Sequence, residues 1–208
     1  MNKKFRIALL ATIAVAALAA RNAEARRGRR PAPATRTTAA TAALTDAEKT
    51  DLLLMREEEK LARDVYLLLL DRWNLRVFRN ISWSEQRHMN AMLSLLDTYG
   101  LEDPAAAQVG VFNNPELKEL YATLIESGQR SKLDALKVGA LIEEVDIEDL
   151  EAAIARTTRP DIRRVYGNLL RGSRNHLRAF ARNIEAITGQ PYQAQWLPAA
   201  EVDEILGR

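Results

Sequence analysis

The 208-residue chain carries 30 Lys and Arg against 28 Asp and Glu and has no cysteine, which excludes a disulfide framework and any thiolate metal site. Its formal net charge of +2 is unevenly spread: nine basic residues against Glu24 put residues 1–45 at +8, and the rest of the chain at −6. The basic balance belongs to the amino-terminal segment, and the acidic remainder argues against nucleic acid as a partner.

Lys3, Lys4 and Arg6 precede an apolar run from Ile7 to Ala20, and Ala23-Glu24-Ala25 follows as an Ala-x-Ala cleavage site. The pattern predicts a secretory signal over residues 1–25, cut after Ala25, and a periplasmic or secreted mature protein. The run falls short of the ~20 apolar residues of a spanning helix, so a retained anchor is the weaker alternative. Without a cysteine, lipoprotein attachment is excluded. Residues 26–45 open with Arg26-Arg27-Gly28-Arg29-Arg30-Pro31 and continue as an Ala/Thr-rich run, a solvated tether whose arginines can meet an anionic membrane surface.

The folded domain is expected over residues 46–208. Thr45-Asp46-Ala47-Glu48 forms a capping box, and Leu54, Leu61, Val65, Leu68 and Leu69 carry a helix to about Trp73. Residues 74–81 read as a connection, and Ser82 or Ser84 as the cap of a second helix with the stripe His88, Met92, Leu95 and Leu96, ending at Tyr99-Gly100. After a Pro/Gly/Asn-containing stretch, Pro115 starts a shorter helix through Leu117, Leu120, Tyr121 and Leu124. A long helix follows from about Ser131 through Leu133, Leu136, Ala140, Leu141, Val145 and Leu150. The last runs from about Asp161 to Ile187, and Tyr192 and Trp196 in the tail should cover one end. The helical period dominates throughout, which predicts an all-α domain of four principal helices plus a short one between the second and third.

Glu85-Gln86-Arg87-His88 sets a carboxylate and an imidazole three apart on one helix face, a spacing that aims both at one metal ion. The ordinary alternative is a surface carboxylate beside a packed histidine. The chain has only two histidines, however, and His176 falls on the last long helix. Glu57-Glu58-Glu59 must leave at least one side chain in solvent, since three successive residues span about 200° of a helix. Glu59, in line with Met55, Ala62 and Tyr66, is the candidate ligand, with Glu58 in reserve. Glu59 precedes His88 by 29 residues and Glu144 precedes His176 by 32, so Glu144 is the candidate on the third long helix, with Glu143 in reserve. Tyr66 and Tyr166 are candidate hydrogen-bond partners for these ligands or plain core residues. Trp73 and Trp83 are expected in packing, and Arg63, Asp64 and Arg87 in interhelical ion pairs.

The segment Met55 to Tyr66, Ser84-Glu85-Gln86-Arg87-His88-Met89, Gly139 to Ile147 and Gly172-Ser173-x-Asn175-His176-Leu177-Arg178-Ala179-Phe180 resemble the uncharacterised DUF2202 family, placed in the ferritin-like superfamily. Glu59-x-x-Ala62-Arg63-x-x-Tyr66 is similar to the first iron-ligating helix of rubrerythrins. The resemblance implies a ferritin-like antiparallel four-helix bundle whose two helix pairs each supply one Glu and one Glu-x-x-His. The ligand set becomes Glu59, Glu85, His88, Glu144 and His176, holding one or two ions of iron or manganese. Ser173 stands where the second Glu-x-x-His needs its carboxylate. Three carboxylates then face two divalent ions, a deficit open to a bridging hydroxide, to Glu143 or Asp146, or to a single ion.

Two functions are expected from these residues. One is an exported redox metalloprotein acting on ferrous iron, oxygen or peroxide with an external electron donor, since the chain has no thiolates to hold its own electron carrier. The other is a non-catalytic helical binding or envelope-interaction module that has lost a competent site, which Ser173 favours. A homodimer stays open as a further partner.

Overall fold

The computed structural model describes residues 43–208; the expected signal and nearly all of the tether lie outside the described residues. Those residues form six helices: α1 Asp46–Trp73, α2 Arg76–Tyr99, α3 Pro115–Gly128, α4 Lys132–Arg156, α5 Pro160–Thr188 and α6 Ala199–Leu206. None is long and apolar enough to cross a membrane.

Local chemistry explains most helix ends. The capping box forms as expected, with the Thr45 hydroxyl accepting the Glu48 N–H and Glu48 accepting the Thr45 N–H. Asn114 and Ser131 cap α3 and α4 through their side-chain oxygens. The connection expected over residues 74–81 shrinks to two residues. Asn74 takes a left-handed conformation at φ 49°, which an asparagine tolerates, and the chain re-enters a helix at Arg76. Val77, Phe78 and Ile81 are buried on that added turn and hold it in place. Ser82 and Ser84 therefore lie inside α2 and cap nothing; Ser82 donates to the Arg79 carbonyl.

The hairpins α1–α2 and α4–α5 pack against each other through α1 on α4 and α2 on α5, while α3 lies on α1 and α4, and α6 on α5. Gly139 permits one close approach: a Cβ there would meet the Phe180 ring at 2.4 Å. Phe180 completes a triangle with Tyr66 and Phe78, with ring centroids 5.4 to 6.0 Å apart, each pair worth about 0.5–1.5 kcal/mol beyond its burial.

The apolar interior is divided into two clusters. The larger contains Leu61, Val65 and Tyr66 from α1, Phe78 and Ile81 from α2, and Leu177 and Phe180 from α5. The smaller contains Leu52 and Met55 from α1, Met92 and Leu96 from α2, Leu150 from α4, and Tyr166 and Leu169 from α5. Between them, at Glu59, Glu85, His88, Ser173 and His176, the helices put polar side chains into the interior.

Candidate metal centre

Glu59 reaches this layer from α1, Glu85 and His88 from α2, Glu143 from α4 and His176 from α5. The three glutamates are each 2% exposed and His176 is 8% exposed. Glu85 lies between the two imidazoles. His88 Nδ1 is 2.8 Å from Glu85 Oε2 and 3.2 Å from Glu59 Oε2; His176 Nδ1 is 2.9 Å from Glu85 Oε1 and 3.3 Å from Glu143 Oε2. The rings stack with centroids 5.5 Å apart. Two ligand sets result, Glu59/Glu85/His88 and Glu85/Glu143/His176, each with its donor atoms within 4.8 Å of one another and both sharing Glu85.

Not all of these atoms are satisfied. Glu59 Oε1 is buried without a hydrogen-bond partner among the described residues, and Glu85 Oε1 and His176 Nδ1, though 2.9 Å apart, are not aligned for a hydrogen bond. Leaving such groups unmatched costs about 1–3 kcal/mol each, and more where they are charged, so the set fits a cation that takes several donors at once. The donors are oxygen and nitrogen only, which suits iron or manganese and also admits zinc.

Protons alone leave the electrostatics divided. Burial opposes charge on His88, but Glu59 and Glu85 raise it to about 11. Burial likewise opposes charge on His176, which Glu143 and Glu85 raise to about 10. Burial lifts Glu59 to about 7 against the pull of His88, and lifts Glu143 in the same direction. Glu85, despite its burial, is held well below the usual carboxylate range by the two imidazoles. Asp146, on the same α4 face as Glu143, is pushed well up by burial and by the charges of Glu59 and Glu143.

The Tyr66 hydroxyl donates to Glu143 Oε1 at 2.6 Å and orients it. Gly172 matters through what it lacks: a Cβ there would meet His88 Cε1 at 2.6 Å and Nε2 at 2.7 Å. Ser173 donates to Asp146.

Glu59, Glu85, His88 and His176 thus converge as expected, and Glu144 does not join them. Its carboxylate accepts the Tyr192 hydroxyl at 2.5 Å and the N–H groups of Gln195, Trp196 and Leu197 at 2.6 to 3.1 Å, tying the tail to α4. Its neighbour Glu143, the reserve candidate, takes the interior place. Glu58 is partly buried and outside both ligand sets. Tyr166 belongs to the smaller apolar cluster, its buried hydroxyl without a hydrogen bond. Trp83, expected in packing, is 65% exposed, whereas Trp73 donates to the Gly128 carbonyl. Arg63 pairs with Asp64 beside it and donates to Gln86 across the α1–α2 interface; Arg87 donates to Ser84 within its own helix. Gly172 was absent from the sequence candidates; its adjacency to Ser173, one turn from His176, is the signal that marks it.

The fold and the site define an all-helical protein with a buried, Glu85-centred carboxylate–imidazole cluster. The chain belongs to the family described as "Uncharacterized protein domain (DUF2202)", whose model matches residues 48–208. It is 50% identical over 164 residues to "Uncharacterized protein MJ0754" of Methanocaldococcus jannaschii, covering 78% of this chain and 88% of that protein. A solved structure, "Crystal structure of hypothetical protein MJ0754 from Methanococcus jannaschii DSM 2661", is similar with a TM-score of 0.78 at 47% identity, covering 83% of this chain and 98% of that one.

Proposed function

We propose that the protein is a ferritin-like metal-binding protein that holds iron or manganese in the Glu59/Glu85/His88/Glu143/His176 cluster and uses it in oxidase- or peroxidase-type redox chemistry. The observation that carries this reading is the sharing of buried Glu85 between two histidine-containing ligand sets, with Glu59 Oε1 buried and unpartnered beside it. Iron or manganese bound there would supply one-electron redox chemistry toward oxygen or peroxide. The protein's own part is to hold the donors. Tyr66 fixes Glu143, Gly172 leaves space for the His88 ring, and the two apolar clusters flank the polar layer and limit its contact with water. With no cysteine, the chain offers no thiolate-bound electron carrier, so turnover draws on an outside reductant. The amino-terminal pattern adds an exported location to this proposal.

The test is elemental analysis of the protein purified without chelator or histidine tag, beside a His88→Ala/His176→Ala variant. Stoichiometric iron or manganese, lost in the variant, supports the reading. A protein that stays metal-free after anaerobic loading with ferrous iron and with manganese contradicts it and favours a non-catalytic module.

A further inference from the structure

Ser173 occupies the place, three residues before His176, where a second Glu-x-x-His would put its carboxylate. With Glu59, Glu85 and Glu143 alone, the cluster carries one negative charge too few for two divalent ions. Ser173 is 1% exposed and extends into the polar layer from α5. Its hydroxyl has a single proton and lies against two acceptors: the Leu169 carbonyl at 3.0 Å and, closer, Asp146 Oδ2. Asp146 comes from α4, three residues after Glu143, so the two carboxylates share a helix face; with its Oδ2 on Ser173, Asp146 stands outside both ligand sets and would have to turn toward them on metal binding.

We infer that Asp146 supplies the fourth carboxylate, moved from α5 to the facing α4, that Ser173 is its positioning residue, and that the cluster accordingly takes two divalent ions. The inference rests on the metal-binding reading above and extends it to nuclearity. Three observations join here. No lysine or arginine forms an ion pair with Asp146 among the described residues, so an ionised Asp146 would have no protein cation beside it and would need a bound one. Its hydrogen-bond donor is the residue standing in the vacated carboxylate position. And Glu59 Oε1 is buried without a partner in the same layer, while Glu85 Oε1 and His176 Nδ1 have each other at 2.9 Å and no aligned hydrogen bond. Serine is short enough to admit a carboxylate from the opposite helix where a glutamate would fill the space itself.

The experiment is equilibrium dialysis of the full chain against manganese, and anaerobically against ferrous iron, with bound metal counted by elemental analysis and folding followed by circular dichroism. The wild type should bind about two ions, and Asp146→Asn about one with the helical signal kept. Ser173→Ala should retain about two but with affinity weakened about tenfold, the scale of losing a group that orients a ligand. The exchange variant Asp146→Ser/Ser173→Glu, which returns the carboxylate to α5, should bind about two again, and it keeps the test open if Asp146→Asn alone folds poorly. Two ions in Asp146→Asn at unchanged affinity overturn the inference and reduce Asp146 to a hydrogen-bond acceptor. One ion in the wild type overturns it while the metal-binding reading stands; no ion in the wild type overturns both.

Discussion

Helix α1 buries charge on two of its faces, and the two faces resolve that charge in opposite ways. On one, Lys60 and Asp64 are both fully buried and paired with each other; Lys60 also donates to the Gln108 carbonyl at 2.9 Å and sits 4.3 Å over the Phe112 ring. Asp64 accepts further from Arg63 and from the Gly110 N–H. Arg56, one turn earlier, makes a two-pronged bond to Asp103 through Nε and Nη2, leaving its Nη1 without a partner, so this face pins the segment between α2 and α3. On the other face, Glu59 meets the His88 imidazole and further acids, and its Oε1 has no partner. A buried charge matched by protein groups is structural. A buried set of acids and imidazoles with an idle donor atom is what the metal-binding proposal takes as a ligand site.

The sharpest break in this comparison comes at Glu85. Glu85→Ala removes the group common to both ligand sets, and manganese or ferrous iron affinity should fall by at least about 100-fold in a binding titration. Lys60→Met leaves Asp64 buried beside Arg63 alone and should cost about 3–5 kcal/mol in denaturant unfolding, with metal stoichiometry unchanged. A Lys60→Met/Asp64→Leu pair should recover much of that loss, as expected of a structural ion pair.

Adjacent glutamates on α4 give a smaller and cleaner contrast. Glu144→Gln weakens the bonds that hold Tyr192 and the N–H groups of residues 195–197, so it should lower stability by about 1–3 kcal/mol while bound metal stays constant. Glu143→Gln should do the reverse, with metal lost and the tail still docked, as protease resistance of the carboxy terminus would report.

The smallest effect is at the capping box. Burial would raise the Glu48 carboxyl, but the Thr45 N–H, Thr157 and Arg159 outweigh it and hold it at about 2, against 4.5 when unperturbed. Its contribution is therefore present above pH 4.5 and is lost as the pH falls toward 2, because the unfolded chain takes up the proton first. Near the surface, solvent screening keeps it on the order of 1 kcal/mol. Glu48→Gln should lower stability by about that amount in the neutral range, flatten that part of the acid-unfolding curve, and leave stability near pH 2 nearly unchanged.

Helix positions were largely legible because caps and apolar period agree. Thr45, Asn114, Ser131 and the glycines at 100 and 189 bound helices as their chemistry suggests. The failures have local causes. Two serines ahead of His88 look like caps, but burial of Val77, Phe78 and Ile81 extends α2 past them. Helix α6 spans only eight residues and leaves little period to read; Val202 and Ile205 anchor it against the rest of the domain. In the site, Glu85, His88 and His176 stood out by spacing and rarity. Glu143 and Glu144 were inseparable from spacing alone, because both are buried and the choice depends on a tail about 50 residues away that supplies four donors to Glu144. Asp146 stayed one option among several until its bond to Ser173 linked α4 to α5.

The most direct test of the central claim is the manganese anomalous signal from crystals of the protein grown with manganese. The account predicts density between the Nδ1 atoms of His88 and His176, flanking Glu85 and within coordination distance of Glu59 and Glu143. Signal confined to surface carboxylates, with the Glu85 cluster empty at saturating metal, would contradict it.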